Sequence, residues 1–310
     1  STAKATNMDK EYLKSLPSNR TLATYFNMVP GVTGDTAHGG SQMDNSYNLD
    51  GVNMGDPATG TQGASFGTDI MEEISVQSGG LSAEYGSVRG AMVNVITKSG
   101  GNSYSGTASF YYNHEKLKAD NTKGTVLEGK KSGNKYGYEP VITLGGPIVK
   151  DRLWFFLNAS VNKTAAFVAG YPYDKEGGME VPITQYYPYL KLTYQPNQKN
   201  KFIFSYSYNN IKNDHRGASV YALESTTYKQ TSPTHIVNAH WTRFFGNNLY
   251  TNLKLGINKM KLNFDAKGDQ TQYWDEYGNG NESGNYWRNK DHNQRDRYNL
   301  NFDATTFVDN

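Results

Sequence analysis

Residues 79–98 read Gly79-Gly80-Leu81-Ser82-Ala83-Glu84-Tyr85-Gly86-Ser87-Val88-Arg89-Gly90-Ala91-Met92-Val93-Asn94-Val95-Ile96-Thr97-Lys98. A strand-like segment, Ile74 to Gln77, runs into the paired glycines. A short polar turn follows, and a second strand spans Met92 to Thr97. From about residue 103 the pattern changes to amphipathic strands joined alternately by short turns and long polar loops, which is how a membrane barrel reads. The quoted stretch is therefore the seam between a globular first part and a barrel wall.

Composition agrees with that division. A chain of 310 residues has room for about two ordinary domains. Mean hydropathy is −0.73, and no stretch approaches the roughly 20 apolar residues of a spanning helix. A barrel needs none, because only alternate residues face lipid. Aromatics make up 13 %, with 24 tyrosines, which suits interfacial girdles where a ring sits in apolar surroundings and its hydroxyl reaches water. The 32 glycines fit many turns and a densely folded first part. A net charge of +2 without a basic stripe points away from nucleic acid. With no cysteine, disulfides and thiolate metal sites are impossible. Ser1 opens a polar stretch without an apolar signal-peptide region, so such a peptide has been removed or the chain begins inside a larger protein.

The first hundred residues read as one small α+β unit. Asp9 caps a short helical turn through Leu13, and Pro17 stops it. Ser18 or Asn19 caps a second helix across Leu22, Tyr25, Phe26 and Val29, which have helical spacing. Pro30-Gly31 ends it. Residues 33–46 and 55–67 read as loops. Tyr47 to Met54 has strand character, interrupted by a turn or bulge at Asp50-Gly51. Ile70, Ile74 and Val76 return to apolar periodicity.

Short blocks in this region carry a family resemblance. Leu16-Pro17-Ser18-Asn19-Arg20, Val29-Pro30-Gly31-Val32, Tyr47-Asn48-Leu49-Asp50-Gly51-Val52 and Met71-Glu72-Glu73-Ile74-Ser75-Val76 follow one another in the order of a TonB-dependent receptor plug. The resemblance continues through Val93-Asn94-Val95-Ile96-Thr97-Lys98-Ser99-Gly100-Gly101-Asn102. It then reaches the early-barrel block Leu144-Gly145-Gly146-Pro147-Ile148-Val149-Lys150-Asp151-Arg152-Leu153-Trp154-Phe155-Phe156. These blocks are most similar to the Oar-like branch of the TonB-dependent outer-membrane transporters. Each is weak alone, and together they touch about half of the chain. Ala91 departs from the pattern, since many relatives have a second glycine there. A methyl group is tolerated if φ is negative. No segment before Asp9 resembles a TonB box.

The second part alternates strand by strand. Leu153, Phe155, Leu157, Ala159 and Val161 form an apolar outer face against Trp154, Phe156, Asn158, Ser160 and Asn162, with Trp154 and Phe156 expected near a rim. Leu190 and Leu192 oppose Tyr189 and Lys191, Leu253 and Leu255 oppose Lys254 and Gly256, and Leu300 and Phe302 oppose Asn299 and Asn301. About eight strands are expected, at 103–113, 136–148, 152–166, 184–196, 201–212, 234–245, 248–264 and 297–308. Tight turns at 149–151, 197–200 and 246–247 alternate with long loops at 114–135, 167–183, 213–233 and 265–296. In outer-membrane barrels the tight turns are periplasmic and the long loops extracellular. A plug entering from the periplasm makes the first strand run outward, which is the phase these lengths require.

Residues 1–102 thus read as plug and 103–310 as the start of the wall of a transmembrane β-barrel. Eight strands close around little more than side chains. A domain of about 100 residues has a radius of gyration near 13 Å and does not fit inside. Plugged barrels have about 22 strands, and an open sheet cannot stand in lipid. The missing strands come from the rest of the polypeptide or from another chain.

Several chemical motifs carry little weight. Gly124-Thr125-Val126-Leu127-Glu128-Gly129-Lys130-Lys131 lacks the hydroxyl and the strand-to-helix context of a phosphate loop. Asp275, Asn279, Asn281 and Glu282 supply oxygen ligands for a calcium ion in an extracellular loop, although EF-hand spacing is not met. His215, His235, His240 and His292 lack the close spacing of a zinc site. No cofactor is otherwise expected. Neither a nucleophile elbow nor a carboxylate pair is readable, so an enzyme is not expected.

The resemblance implies a transporter of the outer membrane of a Gram-negative bacterium, with long loops outside and the plug in the lumen. Its implied partners are TonB and its inner-membrane motor through a segment not found here, a surface lipoprotein, and lipid and lipopolysaccharide. The ligand could be a peptide, protein, oligosaccharide or metal chelate. Candidate contacts are the glycine-rich loops 34–42 and 55–67, with Tyr171, Tyr173, Tyr221, Tyr228, Tyr273, Trp274, Tyr277, Tyr286 and Trp287, whose rings suit peptides or sugars. Loop-on-loop packing is the competing role for those rings. Asp50, Glu72, Glu73 and Arg89 are candidates for fixing the plug in the lumen. Two other classes stay open: a structural or adhesive surface protein that only displays its loops, and a secreted soluble β protein.

Overall fold

The structure is a computed structural model that describes residues 4–15, 20–79, 88–119, 122–171, 178–246, 248–274, 282–286 and 290–307. Apolar alternation builds its first sheet. In β6 (Met71–Gly79) Met71, Ile74, Val76 and Ser78 turn inward, and in β7 (Met92–Thr97) Val93, Val95 and Thr97 do so. Between β1 (Lys4–Asp9) and these strands come α1 (Lys10–Ser15), α2 (Leu22–Phe26), the hairpin of β2 (Val32–Thr33) and β3 (Thr36–Ala37), and the hairpin of β4 (Ser46–Leu49) and β5 (Val52–Asn53). The five-stranded sheet runs β1-β6-β7-β4-β5, with β4 parallel to β7. Leu22, Tyr25, Phe26 and Val29 from α2 and its exit close the core over Leu49, Ile74 and Val93. Fully burying each such side chain contributes about 1.5–3 kcal/mol.

Caps and turns set the ends. The Asp9 carboxylate accepts the Tyr12 N–H at 2.8 Å and starts α1. Thr21 caps α2, its hydroxyl accepting the Thr24 N–H at 3.2 Å. This moves the helix start past Ser18 and Asn19, which lie outside the described residues. Residues 33–46 are more ordered than a loop, since they hold part of the β2–β3 hairpin and a 3-10 turn at Gln42–Asp44 closed by a Ser41–Asp44 capping box. Asp50 and Gly51 have φ of 51° and 78°, the mirror-image turn that matches strand twist in a two-residue hairpin. Ala91 is fully buried and is absent from the positive-φ residues, so its methyl group is accommodated. Strand β1, with its polar sequence, has no apolar alternation to announce it. It pairs along the edge of β6 and inserts Met8.

The wall is one antiparallel meander. It comprises β8 (Ser105–His114), β9 (Gly133–Val149), β10 (Leu153–Phe167), β11 (Glu180–Tyr186), β12 (Tyr189–Asn197), β13 (Asn200–Arg216), β14 (Tyr228–Phe245) and β15 (Leu249–Ala266). A short hairpin of β16 (Tyr273–Trp274) and β17 (Glu282–Ser283) precedes the last wall strand, β18 (Lys290–Thr306). The single strand expected at 184–196 is two, because Pro188 has no N–H to give the ladder. Both β11 and β12 lie between β10 and β13, so nine strands fill eight places. The break is bridged by Tyr187 N–H to Ser160 O at 2.9 Å and Tyr208 N–H to Pro188 O at 3.1 Å. Strands of up to 18 residues exceed the 9–11 that cross a bilayer. They rise past it and shorten the expected loop 213–233 to 217–227.

Alternation sorts the two faces as expected. Leu300 is 68 % and Phe302 66 % exposed on one side, a surface that water would not tolerate over so wide a patch. The other side carries Asn158, Lys191, Thr193, Asn238 and Asn258, all buried. Among the described residues no helix is long and apolar enough to cross a membrane. Phe156 corrects the rim assignment. It is buried against Tyr189 at 6.3 Å and belongs to the apolar cluster of the plug.

One cross-strand row organises the inner face. Gly145, Phe156, Lys191, Ser205, Asn238, Gly256 and Asn299 are successive ladder partners across β9, β10, β12, β13, β14, β15 and β18. The β4–β5 hairpin rests on this row. A Cβ at Gly256 would collide with Val52 Cγ1, so Gly256→Ala should loosen the plug by about 1–3 kcal/mol. Protease cleavage at the Asp50-Gly51 turn should rise, whereas Gly101→Ala, with nothing within 4 Å of its Cβ, should cleave like wild type.

Candidate functional site

The turn at Asp50 brings a carboxylate to the wall. Its Oδ1 accepts the Thr97 N–H at 2.9 Å and its Oδ2 accepts the Thr97 hydroxyl at 2.6 Å. Lys191 enters from β12, with Nζ 3.4 Å from Asp50 Oδ2, 2.8 Å from Thr97 Oγ1 and 3.1 Å from Thr97 O. Tyr189, two residues earlier, shares a 2.7 Å hydrogen bond with Thr97 Oγ1. A hydroxyl has one proton and two lone pairs. With its proton on Asp50, Thr97 accepts from Tyr189 and from Lys191, and its capacity is filled. The Lys191 and Asp50 side chains are 5 % and 10 % exposed. Removing either partner of such a buried pair strands the other charge, at a cost of about 3–5 kcal/mol.

Asparagines extend the seam. Asn238, Asn258 and Asn299 donate their side-chain amides to the carbonyls of Leu49 at 3.3 Å, Met54 at 3.2 Å and Asn53 at 3.1 Å. Arg295 on β18 pairs with Asp56 at the start of the next plug loop. At the opposite flank Arg20 bonds Asp69 at 2.6 Å and lies over the Tyr111 ring of β8, 3.7 Å from its centre. The side-chain oxygens of Asn238 and Asn258 are buried without a hydrogen-bond partner among the described residues, so the seam is only partly satisfied.

Of the four residues proposed to fix the plug, Asp50 reaches the wall. Glu72 bonds Lys10 within the plug at 2.7 Å. Glu73 faces Asp9 across the β1–β6 ladder. Arg89 is exposed, and its main-chain N–H donates to Asp44 O at 3.1 Å. Lys191, Tyr189, Arg295 and the three asparagines were not singled out from sequence. Strand parity assigns them to the lumen, but nothing local tells which plug atom each would meet.

The long-loop end forms a second region. His215 bonds the Glu180 carbonyl through Nδ1 at 2.6 Å and the Glu224 carboxylate through Nε2 at 3.0 Å. Lys135 pairs with Glu180, and Lys267 lies 3.7 Å from Glu224. Burial pushes the Lys267 ammonium down from its ordinary pKa, against the pull of Glu224. A cavity of about 650 Å³ opens here between Tyr171, Met179, His215 and Leu223. Among the described residues the predicted aromatic contacts do not converge on it as a group. Tyr171 lines it, while Tyr228 packs on Tyr286 at 4.1 Å and edge-on to Phe264 at 5.2 Å. Tyr221 and Tyr273 are exposed. Trp274 and Glu282 are placed as strand residues only, and Tyr173, Tyr277, Trp287, Asp275, Asn279 and Asn281 lie outside the described residues. At the plug apex the loops around 34–42 and 55–67 meet, since a Cβ at Gly60 would lie 3.0 Å from Met43 O.

The arrangement is a plug gripped by a wall along a polar seam, below a vestibule of stapled loops. Residues 96–167 match the model of an outer membrane beta barrel domain. The chain is 28 % identical over 173 residues to the TonB-dependent transporter Oar of Myxococcus xanthus, covering 50 % of this chain and 16 % of that protein. It is 29 % identical over 185 residues to a probable TonB-dependent siderophore receptor, PirA of Acinetobacter baumannii, covering 51 % and 22 %. The fold matches the crystal structure of that receptor with a TM-score of 0.73 at 17 % identity, over 97 % of this chain and 45 % of the other. It matches the outer membrane transporter YddB of Escherichia coli with a TM-score of 0.73 at 13 % identity, over 96 % and 45 %. The chain therefore spans less than half the length of these relatives.

The Asp56–Arg295 contact gives a pH test. Burial works against the Asp56 charge, but the Ala58 N–H, Arg295 and Thr59 outweigh it and hold the carboxyl below its ordinary 3.8. A depressed carboxylate adds stability above its unfolded pKa and loses it as pH falls through the folded value. Arg295→Gln should lower the unfolding midpoint at pH 6 by the equivalent of about 2 kcal/mol. The difference from wild type should shrink as pH drops below 3.8.

Proposed function

Given that this chain is a homologue of the TonB-dependent outer-membrane transporters and carries their plug and wall, we propose that it forms part of a transporter that binds an extracellular ligand and moves it inward with TonB-coupled energy. The long loops and the plug apex receive the ligand. A barrel in the outer membrane has no energy source of its own, so force is applied from the periplasm through TonB and its inner-membrane motor. The plug then shifts against the wall and opens a path.

One observation carries this reading: the plug's β4–β5 hairpin is fastened to the wall by separable polar bonds. The hairpin at Asp50-Gly51 is held by one ion pair and by asparagine-to-carbonyl bonds. In a partly wet lumen water can replace these as they break, so each net contribution is only about 1 kcal/mol. Most of the apolar core lies within the plug, with Phe156, Tyr189 and Ile236 added by the wall, so the plug can move without exposing most of it. In this reading the cavity beside Tyr171 and His215 and the loops meeting at Met43 and Gly60 form the ligand's entry side.

Val52 is buried where the hairpin meets Gly256, so a cysteine there reports plug movement. In cells carrying the full-length protein with Val52→Cys, maleimide labelling should rise when the proton gradient and TonB are intact. It should fall to background with a protonophore or without TonB. Labelling indifferent to both would reject energy coupling and favour a surface protein that only displays its loops.

A further inference from the structure

Beneath the plug hairpin the inner wall carries more positive charge than the seam uses. One row nearer the tight turns than Lys191 and Asn238, the inward ladder partners are Thr193, Ile203, His240, Lys254 and Asn301, across β12, β13, β14, β15 and β18. His240 and Lys254 stand directly opposite each other, which sets their Cβ atoms about 5 Å apart. Lys201 belongs to the next row, opposite Thr242, and points the same way. It is a diagonal neighbour of His240, at roughly 7–8 Å. The Lys254 ammonium reaches the hairpin itself, since a Cβ at Gly51 would lie 2.9 Å from its Nζ. His240 is within electrostatic reach of Asp50, Lys254 and Lys191. Regular pairing of four neighbouring strands thus gathers Lys191, Lys201, His240 and Lys254 around one hairpin turn.

Little acid balances them. Asp50 is engaged by Thr97 and Lys191. Asp303 lies in the row of Lys201, opposite Asn252, and pairs with neither Lys201 nor Lys254 among the described residues. Those two lysines make no ion pair or hydrogen bond among the described residues, and His240 Nε2 is buried without a partner there. Neither protonation state of His240 is satisfied by these neighbours. The imidazolium faces Lys254 as a like charge, which destabilises a directly opposed pair. The neutral ring still leaves Nε2 desolvated and unbonded. An oxyanion between the two side chains resolves both conflicts, because it accepts a charge-assisted hydrogen bond from each.

The geometry points to an oxyanion site between His240 and Lys254, with Lys201 at its mouth, that takes a carboxylate or phosphate group. Lysine suits such a group as a compact charge with three donors. Access is from the tight-turn side, where Lys201 is exposed and which is the periplasmic side of such a wall. A concave surface lined by one sign of charge also concentrates counter-ions. The site is thereby distinct from the entry side at the long loops. It receives a free periplasmic anion or the acidic group of a solute leaving the lumen. The inference rests on the inner face of the wall and not on energy coupling, so it fails separately from the transport reading.

Calorimetric titration of the full-length protein in detergent with inorganic phosphate tests it. Wild type should bind phosphate saturably, and His240→Asn with Lys254→Ser should weaken binding at least tenfold. Lys201→Ser changes an exposed side chain, leaves the hairpin contacts in place and should weaken binding severalfold. Lys259→Ser with Lys261→Ser removes two exposed lysines from the opposite face of β15 and should change nothing. Trehalose phosphate separates the two sources. Binding of both probes assigns the site to the acidic group of a larger solute, and binding of phosphate alone assigns it to a free ion; either result upholds an oxyanion site. Absence of saturable phosphate binding would overturn it. So would wild-type binding by the His240/Lys254 variant, or an equal loss in the Lys259/Lys261 variant.

Discussion

A backbone N–H with no partner in hydrocarbon costs several kilocalories, and every wall strand from Ser105 to Thr306 answers to that constraint. Between its end strands β8 and β18, the meander satisfies it by pairing each strand on both sides, even where Pro188 interrupts. There the Tyr187 and Tyr208 N–H groups carry the ladder across the break. Pairing fixes register, and register fixes which side chains point inward. The row from Gly145 to Asn299 is a consequence of backbone satisfaction before it is a feature of the plug seam.

The two faces of the wall then meet different solvents. Outward residues lie against lipid and need only be apolar, which Leu300, Phe302 and Leu255 fulfil while well exposed. Inward residues meet a folded domain whose hairpin backbone offers carbonyls, and asparagine suits that job because its amide donates while its size fits between strands. Where the hairpin presses closest the wall has a glycine: Gly256 leaves the space that Val52 fills. Polarity and steric fit therefore act at the same row, one setting how strongly the plug is held and the other setting where.

This division explains what could be read from sequence. The period-2 alternation of β10, β12, β15 and β18 is a local property, so their faces and the alternation of tight turns with long loops were legible. The Asp50-Gly51 turn was legible for the same reason. Strand β1 was not, because it is held by pairing with β6 and not by an apolar pattern of its own. Phe156 was misplaced at a rim because alternation gives the face and not the height at which a plug presses on it. The partners of Asp50 lie 47 residues away at Thr97 and 141 away at Lys191. No spacing rule connects them, although both lie on segments whose inward parity is plain.

The Asp50–Thr97–Lys191 cluster joins three parts of the chain that must move differently if the plug shifts. Asp50 lies in the hairpin turn, Thr97 at the end of the last plug strand, and Lys191 in the wall. Asp50 and Thr97 are tied by two bonds inside the plug, whereas Lys191 reaches both from outside. A force that separates plug from wall breaks the Lys191 contacts and leaves the Asp50–Thr97 bonds intact. The carboxylate keeps two of its hydrogen bonds while water replaces the ammonium, which lowers the cost of its lost partner. Release at this point is thus cheaper than deletion of either charge, since a charge exposed to the lumen is rehydrated and one stranded in a packed seam is not.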